Sequence, residues 1–190
     1  MATTEIKQPS FAATTPVSVG KVGIKSKDAQ ALADYYKSVV GLSEVARRPG
    51  VIVLGAGGDG FFEIEDVKSL RPDDPRSAGL FHTAFLLPGR ADLARWTQHA
   101  IDRKIAIDGA SDHLVSEAVY LTDPEGNGIE IYADRDRSAW GWDGNSVRMA
   151  TDALDFRNLM ATHQPKSGDW QGAPDGTIIG HVHLRVGDAK

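Results

Sequence analysis

A carboxylate that could do chemistry lies in an apolar part of this sequence. The segment YLTDPEGNGIEIYA, residues 120–133, places Glu130 directly after a Gly-rich turn and between Ile129 and Ile131. An ionised side chain on a packed strand costs free energy unless a positive group or water meets it. A metal ion, a lysine or open solvent would each meet that need. The chain contains no cysteine, so a metal here would need His, Asp, Glu or Tyr ligands.

Residues that could accompany this carboxylate recur in a repeated pattern. Residues 19–29 read VGKVGIKSKDA, and residues 179–189 read IGHVHLRVGDA. A weaker copy lies between them in the chain and begins at GLFHTAFLLPGRADLA, residues 79–94. Each copy starts with side chains that alternate as in a half-buried strand. Three residues hold matched positions in these starts: Lys21, His82 and His181.

The copies that begin at residues 19 and 79 each open a unit of one strand, one helix and three strands. After the first start, DAQALADYYKSVVG spaces its apolar residues as in a helix that stops at Gly41, and VIVLGAGGDGFFEIE predicts two strands joined by a turn. After the second start, RADLARWTQHAIDR is again helical, and strands are predicted over 105–107, 117–121 and 128–133. The sequence therefore predicts an α+β fold.

The units also predict how the chain is organised. We divide it into a flexible tail over 1–16, a two-unit domain over 17–135 with units at 17–66 and 79–135, a connector over 136–177, and the start of an incomplete third unit over 178–190. We expect the chain to be a fragment or a truncated form of a longer polypeptide. If the third opening strand is ordered, we expect it to pair with the first sheet or with another subunit, because a lone strand leaves backbone groups unpaired.

The composition narrows the classes of function. A chain of 190 residues with 41% hydrophobic and 25% charged residues is typical of a globular protein with a sizeable core. A net charge of −5 argues against a nucleic-acid partner, and no apolar run reaches the length of a membrane span. The N-terminal segment lacks the basic start and apolar core of a signal peptide. We predict a cytoplasmic protein with a small-molecule ligand.

Several motifs resemble the vicinal oxygen chelate superfamily, which includes glyoxalases, bleomycin-resistance proteins, epimerases and extradiol ring-cleaving dioxygenases. The motifs are GLFHTAFLLPGRADLA, SDHLVSEAVYLTDPEGNGIEIYADR and IGHVHLRV, and the resemblance covers about residues 17–135 and 178–190. The branch that they resemble most is that of the catechol 2,3-dioxygenases. This resemblance implies paired βαβββ modules that form a cupped mixed sheet with the helices outside.

The resemblance also implies which residues would face the cup. The corresponding positions are Lys21 and Glu63 in the first module, and His82 and Glu130 in the second. His82 and Glu130, with Glu63 as a further candidate, would hold Fe(II), or Mn or Zn. Lys21 departs from the pattern, because a protonated ammonium cannot donate to a metal. In a metal-free version of the site, Lys21 would itself pair with Glu130 or Glu63.

Three further residues match functional positions of such enzymes. Tyr120 would hydrogen-bond a substrate oxygen, and His113 would hydrogen-bond a bound catecholate or move a proton. Each also has a structural interpretation, Tyr120 as a packed strand aromatic and His113 as a solvated loop histidine. His181 matches the histidine that the dioxygenase pattern has in an opening strand. The resemblance implies that this histidine would serve a different site, which a later module completes.

We therefore predict an extradiol dioxygenase-like protein that oxygenates a catecholic aromatic molecule, or the inactive, non-catalytic half of such an enzyme. Two alternatives stay open. A glyoxalase- or epimerase-type metalloenzyme would need Glu63 beside His82 and Glu130. A metal-free ligand-binding or resistance module would use the cup as an apolar pocket and would hold no cofactor. The unfinished third unit predicts self-association into a homo-oligomer.

Overall fold

The computed structural model describes residues 17–71, 73–74, 76–162 and 169–187. The first unit comprises β1 (Val22–Ser26), α1 (Ala29–Val39), β2 (Ser43–Arg48), β3 (Val51–Ala56) and β4 (Asp59–Asp66). The second unit repeats this order with β5 (Gly79–Leu86), α2 (Arg90–Arg103), β6 (Gly109–Asp112), β7 (Ser116–Thr122) and β8 (Gly128–Asp134). The predicted flexible tail over 1–16 lies outside the described residues.

The rest of the described chain consists of short elements and one long final strand. They are a 3-10 turn (Arg137–Ala139), β9 (Trp142–Asp143), β10 (Ser146–Val147), β11 (Asp152–Ala153), α3 (Phe156–Met160) and β12 (Ile178–Arg185). The predicted α+β class is confirmed. Among the described residues, no helix has the length and apolar character needed to cross a membrane.

Two sheets carry the two units. The first has four strands in the order β1-β4-β3-β2, with β1 parallel to β4. The second has six strands in the order β11-β6-β7-β8-β5-β12, and in it β5 is parallel to β8 and antiparallel to β12. The opening strands β1 and β5 therefore hold equivalent places, each beside the last strand of its own unit.

The helix α1 stops before Gly41 as predicted, and the structure shows that Asp28 caps its start. The Asp28 side chain caps the helix by accepting a hydrogen bond from the Ala31 backbone N–H. Gly41 follows the helix with a φ of 87°, a left-handed conformation that glycine adopts without steric cost. Leu32 and Tyr36 lie four residues apart on the buried face. This face packs on β3 and β4.

The strand predicted over 105–107 is wrong. Lys104 ends α2 in a left-handed conformation, and the Ile105 backbone N–H still bonds the Ala100 carbonyl of the helix. The apolar side chain of Ile105 packs against the core without any strand pairing of its backbone. The strand instead begins at Gly109, which pairs with Tyr120 of β7. An apolar residue that closes a helix thus gives the same sequence signal as the first residue of a strand.

One hydrophobic core joins the helix-covered faces of the two sheets. The rings of Phe62 in β4 and Phe85 in β5 have centroids 5.5 Å apart, and Tyr36 of α1 contacts them at 4.6 and 6.1 Å. Trp96 of α2 is fully buried and donates its indole N–H to the Val39 carbonyl at 2.9 Å. Side chains that alternate with Phe62 and Phe85 point to the opposite, helix-free faces. The candidate site residues lie on those faces.

The final strand β12 pairs with the second sheet, which corrects the prediction that it would join the first sheet or another subunit. It runs antiparallel to β5, with Val182 opposite Thr83 and His183 opposite His82. Ile179 is buried and Val182 packs against the same core. The third opening strand therefore forms hydrogen bonds with the backbone groups on the free edge of β5, and it buries its own apolar face.

Candidate metal centre

Three adjacent strands of the second sheet bring His82 of β5, Glu130 of β8 and His181 of β12 together on the helix-free face. Glu130 Oε2 lies 2.9 Å from His82 Nε2 and 3.1 Å from His181 Nε2. The two Nε2 atoms are 3.2 Å apart. The possible ligand atoms of these three side chains all lie within 4.8 Å of one another. Among the described residues, these side chains form the group of histidines and carboxylates that could hold a metal ion.

The strand register explains why these side chains meet. Ala84 of β5 lies opposite Glu130 on one side and opposite His181 on the other, so the three residues are level across the sheet. His82 precedes Ala84 by two residues and therefore points to the same face. The small, fully buried side chain of Ala84 leaves the space above it to the imidazoles and the carboxylate.

A β-bulge turns His181 onto this face. Ile179 and His181 pair with consecutive residues of β5, which leaves Gly180 as an extra residue without a partner there. Ile179 points into the core, and strict alternation would have pointed His181 into the core as well. Gly180 also accommodates Tyr132, because a Cβ built on Gly180 would lie 1.8 Å from the Tyr132 hydroxyl oxygen.

The charge and burial of the group suit a metal ion. The side chains of His82 and Glu130 are only 8% and 4% exposed, whereas that of His181 is 45% exposed. Burial alone would raise the pKa of Glu130, but hydrogen bonds from His181 and His82 outweigh it and lower the pKa from 4.5 to about 2. Two imidazoles and one ionised carboxylate, with further positions open, are the donor set that non-haem Fe(II) uses. The residues present therefore fit such an ion.

Glu63 in β4 and Lys21, directly before β1, lie at the first sheet, apart from this group. Lys21 Nζ is 2.7 Å from Glu63 Oε1, and Arg48 Nη2 is 2.9 Å from the same oxygen. The hydrogen bond from Lys21 is the main reason that the pKa of Glu63 is lowered. Of the two partners that the sequence offered for Lys21, the structure selects Glu63 rather than Glu130.

The two units place these groups in the same register. Glu63 lies opposite Gly23, which follows Lys21 by two residues. Glu130 lies opposite Ala84 in the same way. The ion pair of the first sheet therefore occupies the position that the imidazole–carboxylate pair occupies in the second.

Tyr120 and His113 contact each other beside the metal centre. Tyr120 lies directly opposite Glu130 across β7 and β8, and its ring centroid is 5.8 Å from that of His82. His113 Nε2 lies 2.7 Å from the Tyr120 hydroxyl, and its Nδ1 lies 2.7 Å from the Ala150 carbonyl oxygen. A carbonyl only accepts, so Nδ1 donates, and in the neutral ring Nε2 accepts from the tyrosine. Burial and the charge of Glu130 raise the pKa of Tyr120.

A cavity of about 400 Å³ opens beside His82 and Tyr120. Its lining is mainly apolar and includes Phe81 and Ile129, and two charged side chains, Asp108 and Arg185, border it. Pockets that take small molecules are commonly apolar with a few placed polar groups, and this volume suits a single aromatic ring with a short substituent.

The family resemblance indicated that His82 and Glu130 face one cup, but it placed His181 in a different site. The repeat carried the missing signal, because it aligned His181 with His82 as the histidine of an opening strand. The bulge at Gly180 and the carbonyl of Ala150 left no such signal, since both depend on how distant segments pack.

The fold and the site define a class of protein. Residues 18–131 match the family model described as the Glyoxalase/Bleomycin resistance protein/Dioxygenase superfamily. The chain belongs to this superfamily, as the motifs in its sequence indicated.

Comparison with known proteins adds particular relatives. The catechol-2,3-dioxygenase of Bacillus subtilis (strain 168) is 38% identical over 182 residues, which cover 93% of this chain and 61% of that protein. The chain thus spans less than two thirds of that relative's length. A glyoxalase/dioxygenase from Nostoc punctiforme superposes with a TM-score of 0.53 at 24% identity, over 63% of this chain and 92% of its own. Lactoylglutathione lyase from Agrobacterium tumefaciens gives a TM-score of 0.50 at 23% identity, over 67% and 98%. These two structures support the fold alone.

Proposed function

We propose that this protein is an extradiol-type ring-cleaving dioxygenase for a catecholic aromatic molecule, with Fe(II) held by His82, Glu130 and His181. The observation that carries the proposal is the meeting of two imidazoles and an ionised carboxylate on three adjacent strands. The 38% identity to a catechol-2,3-dioxygenase supports both the reaction and the substrate class. When bound, the ion would supply open coordination positions at which a catechol and dioxygen come together.

The remaining groups of the site would handle protons. Burial and Glu130 raise the pKa of Tyr120, so its phenol stays protonated. Its hydrogen is donated to His113 Nε2, and it would be donated to an oxygen of the substrate once His113 has taken up a proton and Nε2 donates to the phenol oxygen instead. His113 is held by Ala150 in the tautomer whose Nε2 accepts a proton. It would take the proton of a catechol hydroxyl, either directly or through the Tyr120 hydroxyl. A positioned acid or base of this kind contributes roughly 10²- to 10⁴-fold to a rate.

The cavity would hold the aromatic ring. Phe81, Leu121 and Ile129 give it apolar walls, so ring burial there displaces water. His82 and Tyr120 line the same cavity, so a ring inside it lies beside both the proposed ligand and the proposed hydrogen-bond donor.

The first test measures iron and oxygen uptake. Purified protein loaded anaerobically with Fe(II) should hold one iron per chain and consume oxygen when catechol is added. His181→Ala and Glu130→Gln should each lose most of the iron and the activity. His99→Ala serves as the matched control, because His99 lies on α2 and contacts the Ser38 carbonyl instead of the metal centre. Iron content in His181→Ala equal to that of His99→Ala would disprove the ligand assignment.

Two further variants separate the roles within the site. His113→Phe should keep the iron but lower kcat at least about tenfold, since the proton acceptor is lost and the metal ligands are not. Glu63→Gln should leave the metal content unchanged. Loss of metal in Glu63→Gln would instead support a glyoxalase- or epimerase-type site.

A further inference from the structure

One cationic side chain borders the cavity of the metal centre. Arg185, the last residue of β12, lines the same cavity as His82 and Tyr120. It is the only arginine or lysine among the described residues that line this cavity. Its side chain is 22% exposed, so most of it is covered.

The guanidinium is held on one edge and free on another. Arg185 Nη2 forms an ion pair with the Asp73 carboxylate, and Nε donates to the Ser77 carbonyl at 3.3 Å. Nη1 has no hydrogen-bond partner within the described part of the chain. A planar guanidinium that is already oriented loses little side-chain entropy when a ligand accepts from its remaining donors.

The other charged group of the cavity is less suited to hold a ligand. Asp108 is exposed, and its Oδ2 already accepts a hydrogen bond from the Thr122 hydroxyl at 2.6 Å. Solvent and salt screen an exposed carboxylate, whereas a covered arginine acts at a lower effective dielectric constant. The charge that would dominate recognition in the cavity is therefore positive.

We propose that Arg185 binds an anionic substituent of the substrate, so that the preferred substrate is a catechol with a side-chain carboxylate. This inference rests on the proposed function, because it assumes that the catechol ring occupies the cavity beside His82. Arg185 would act in binding and selectivity, and the ring chemistry would proceed with neutral catechols as well.

The test compares three catechols that differ in the charge of one substituent. 3,4-Dihydroxyphenylacetate carries a carboxylate, 4-ethylcatechol is neutral and dopamine carries an ammonium group. With Fe(II)-loaded protein, we expect KM for the carboxylate to be roughly tenfold lower than for 4-ethylcatechol, as one charge-assisted hydrogen bond would give. Arg185→Gln should abolish this difference and leave kcat and KM for 4-ethylcatechol within about twofold of the wild type.

Three further variants test whether the preference depends on the charge and the donor geometry of Arg185. Arg185→Lys keeps the charge but not the fork of donors, so it should retain part of the preference. Asp73→Asn removes the anion that partly neutralises Arg185, so KM for the carboxylate should fall further. Arg76→Gln is the matched control, because Arg76 lies near Asp73 in sequence, is highly exposed and does not line the cavity.

Outcomes for this subsite and for the proposed function can be told apart. Equal KM values for the three compounds, a preference for dopamine, or an Arg185→Gln effect of equal size on all three would overturn the subsite. Anaerobic calorimetric titration with 3,4-dihydroxyphenylacetate gives a readout without turnover. If no catechol is oxidised but this titration shows binding that Arg185→Gln abolishes, the dioxygenase proposal fails while the anion subsite stands.

Discussion

Gly180→Ala is expected to damage the metal centre although Gly180 supplies no ligand. A Cβ at this position would lie 1.8 Å from the Tyr132 hydroxyl oxygen, 2.7 Å from Cζ and 2.9 Å from Cε1. An ordinary contact is about 3.4 Å, so the phenol would have to move by roughly 1.6 Å or the bulge would have to open. The Tyr132 ring lies 5.3 Å from the His181 ring between centroids, so either movement displaces the imidazole.

The expected size of the effect follows from overpacking. Forcing one extra methyl group into a packed site costs about 1–3 kcal/mol of unfolding free energy, and displacement of one ligand should weaken metal binding about 10- to 100-fold. We would measure unfolding in urea with EDTA present, and Zn(II) affinity by competition with a chromophoric chelator. Gly187→Ala is the matched control, because nothing lies within 4 Å of its Cβ position.

A second substitution tests the stated cause. Tyr132→Leu removes the phenol that Gly180→Ala would strike, so the double variant should bind Zn(II) more tightly than Gly180→Ala alone. Equal results for Gly180→Ala and Gly187→Ala in both assays would show that no such clash occurs. A double variant with the full sum of two independent losses would show that Tyr132 is not the group that the new Cβ strikes.

Three other predictions concern stability. Lys21→Gln breaks an exposed ion pair with Glu63 and should change the unfolding free energy in urea by less than about 1 kcal/mol, with unchanged metal content; a larger loss would show a structural role. Asp123→Ala removes the acceptor of the buried Tyr36 hydroxyl and of three N–H donors of Glu125 and Asn127 in the following turn, so it should cost about 3 kcal/mol or more in the same assay; an effect below about 1 kcal/mol would contradict this. Burial raises the pKa of Asp134 from 3.8 to about 6, so stability from its protonated form is complete below about pH 4 and lost as pH rises through about 6. The calorimetric melting temperature, measured in EDTA, should therefore fall less between about pH 4 and about 6 in Asp134→Asn than in the wild type. Equal pH dependence of the two melting temperatures would refute this prediction.

Elements with their own local signals could be read from the sequence. The strands predicted over 117–121 and 128–133 correspond to Ser116–Thr122 and Gly128–Asp134. Turn residues and alternation mark such strands without reference to distant contacts. The segment 105–107 has no such turn residues or alternation. An apolar residue after a helix therefore gives the same sequence signal whether it packs alone or starts a strand.

The candidate site also contains residues that the sequence indicates and one that depends on how distant segments pack. The family resemblance indicated that His82 and Glu130 face one cup, and the register sets Glu130 opposite Ala84, two residues after His82. The approach of His181 could not be predicted, because it depends on which sheet edge β12 joins and on one extra residue at Gly180. A bulge reverses the parity of everything after it, so an alternation rule applied to Ile179 gives the wrong face for the next histidine.

The two units differ in the residue that faces the buried or half-buried carboxylate, a lysine in the first and a histidine in the second. This difference decides how the carboxylate charge is offset. In the first, the Lys21 ammonium brings its own positive charge, so Glu63 is satisfied at 2.7 Å without an ion. In the second, unprotonated imidazoles would bring lone pairs but no charge, so the buried Glu130 is best offset by a metal. Lys21→His alone should not create a second metal site. In the described structure β1 has no strand on its free edge, and the counterpart of His181 is therefore missing there.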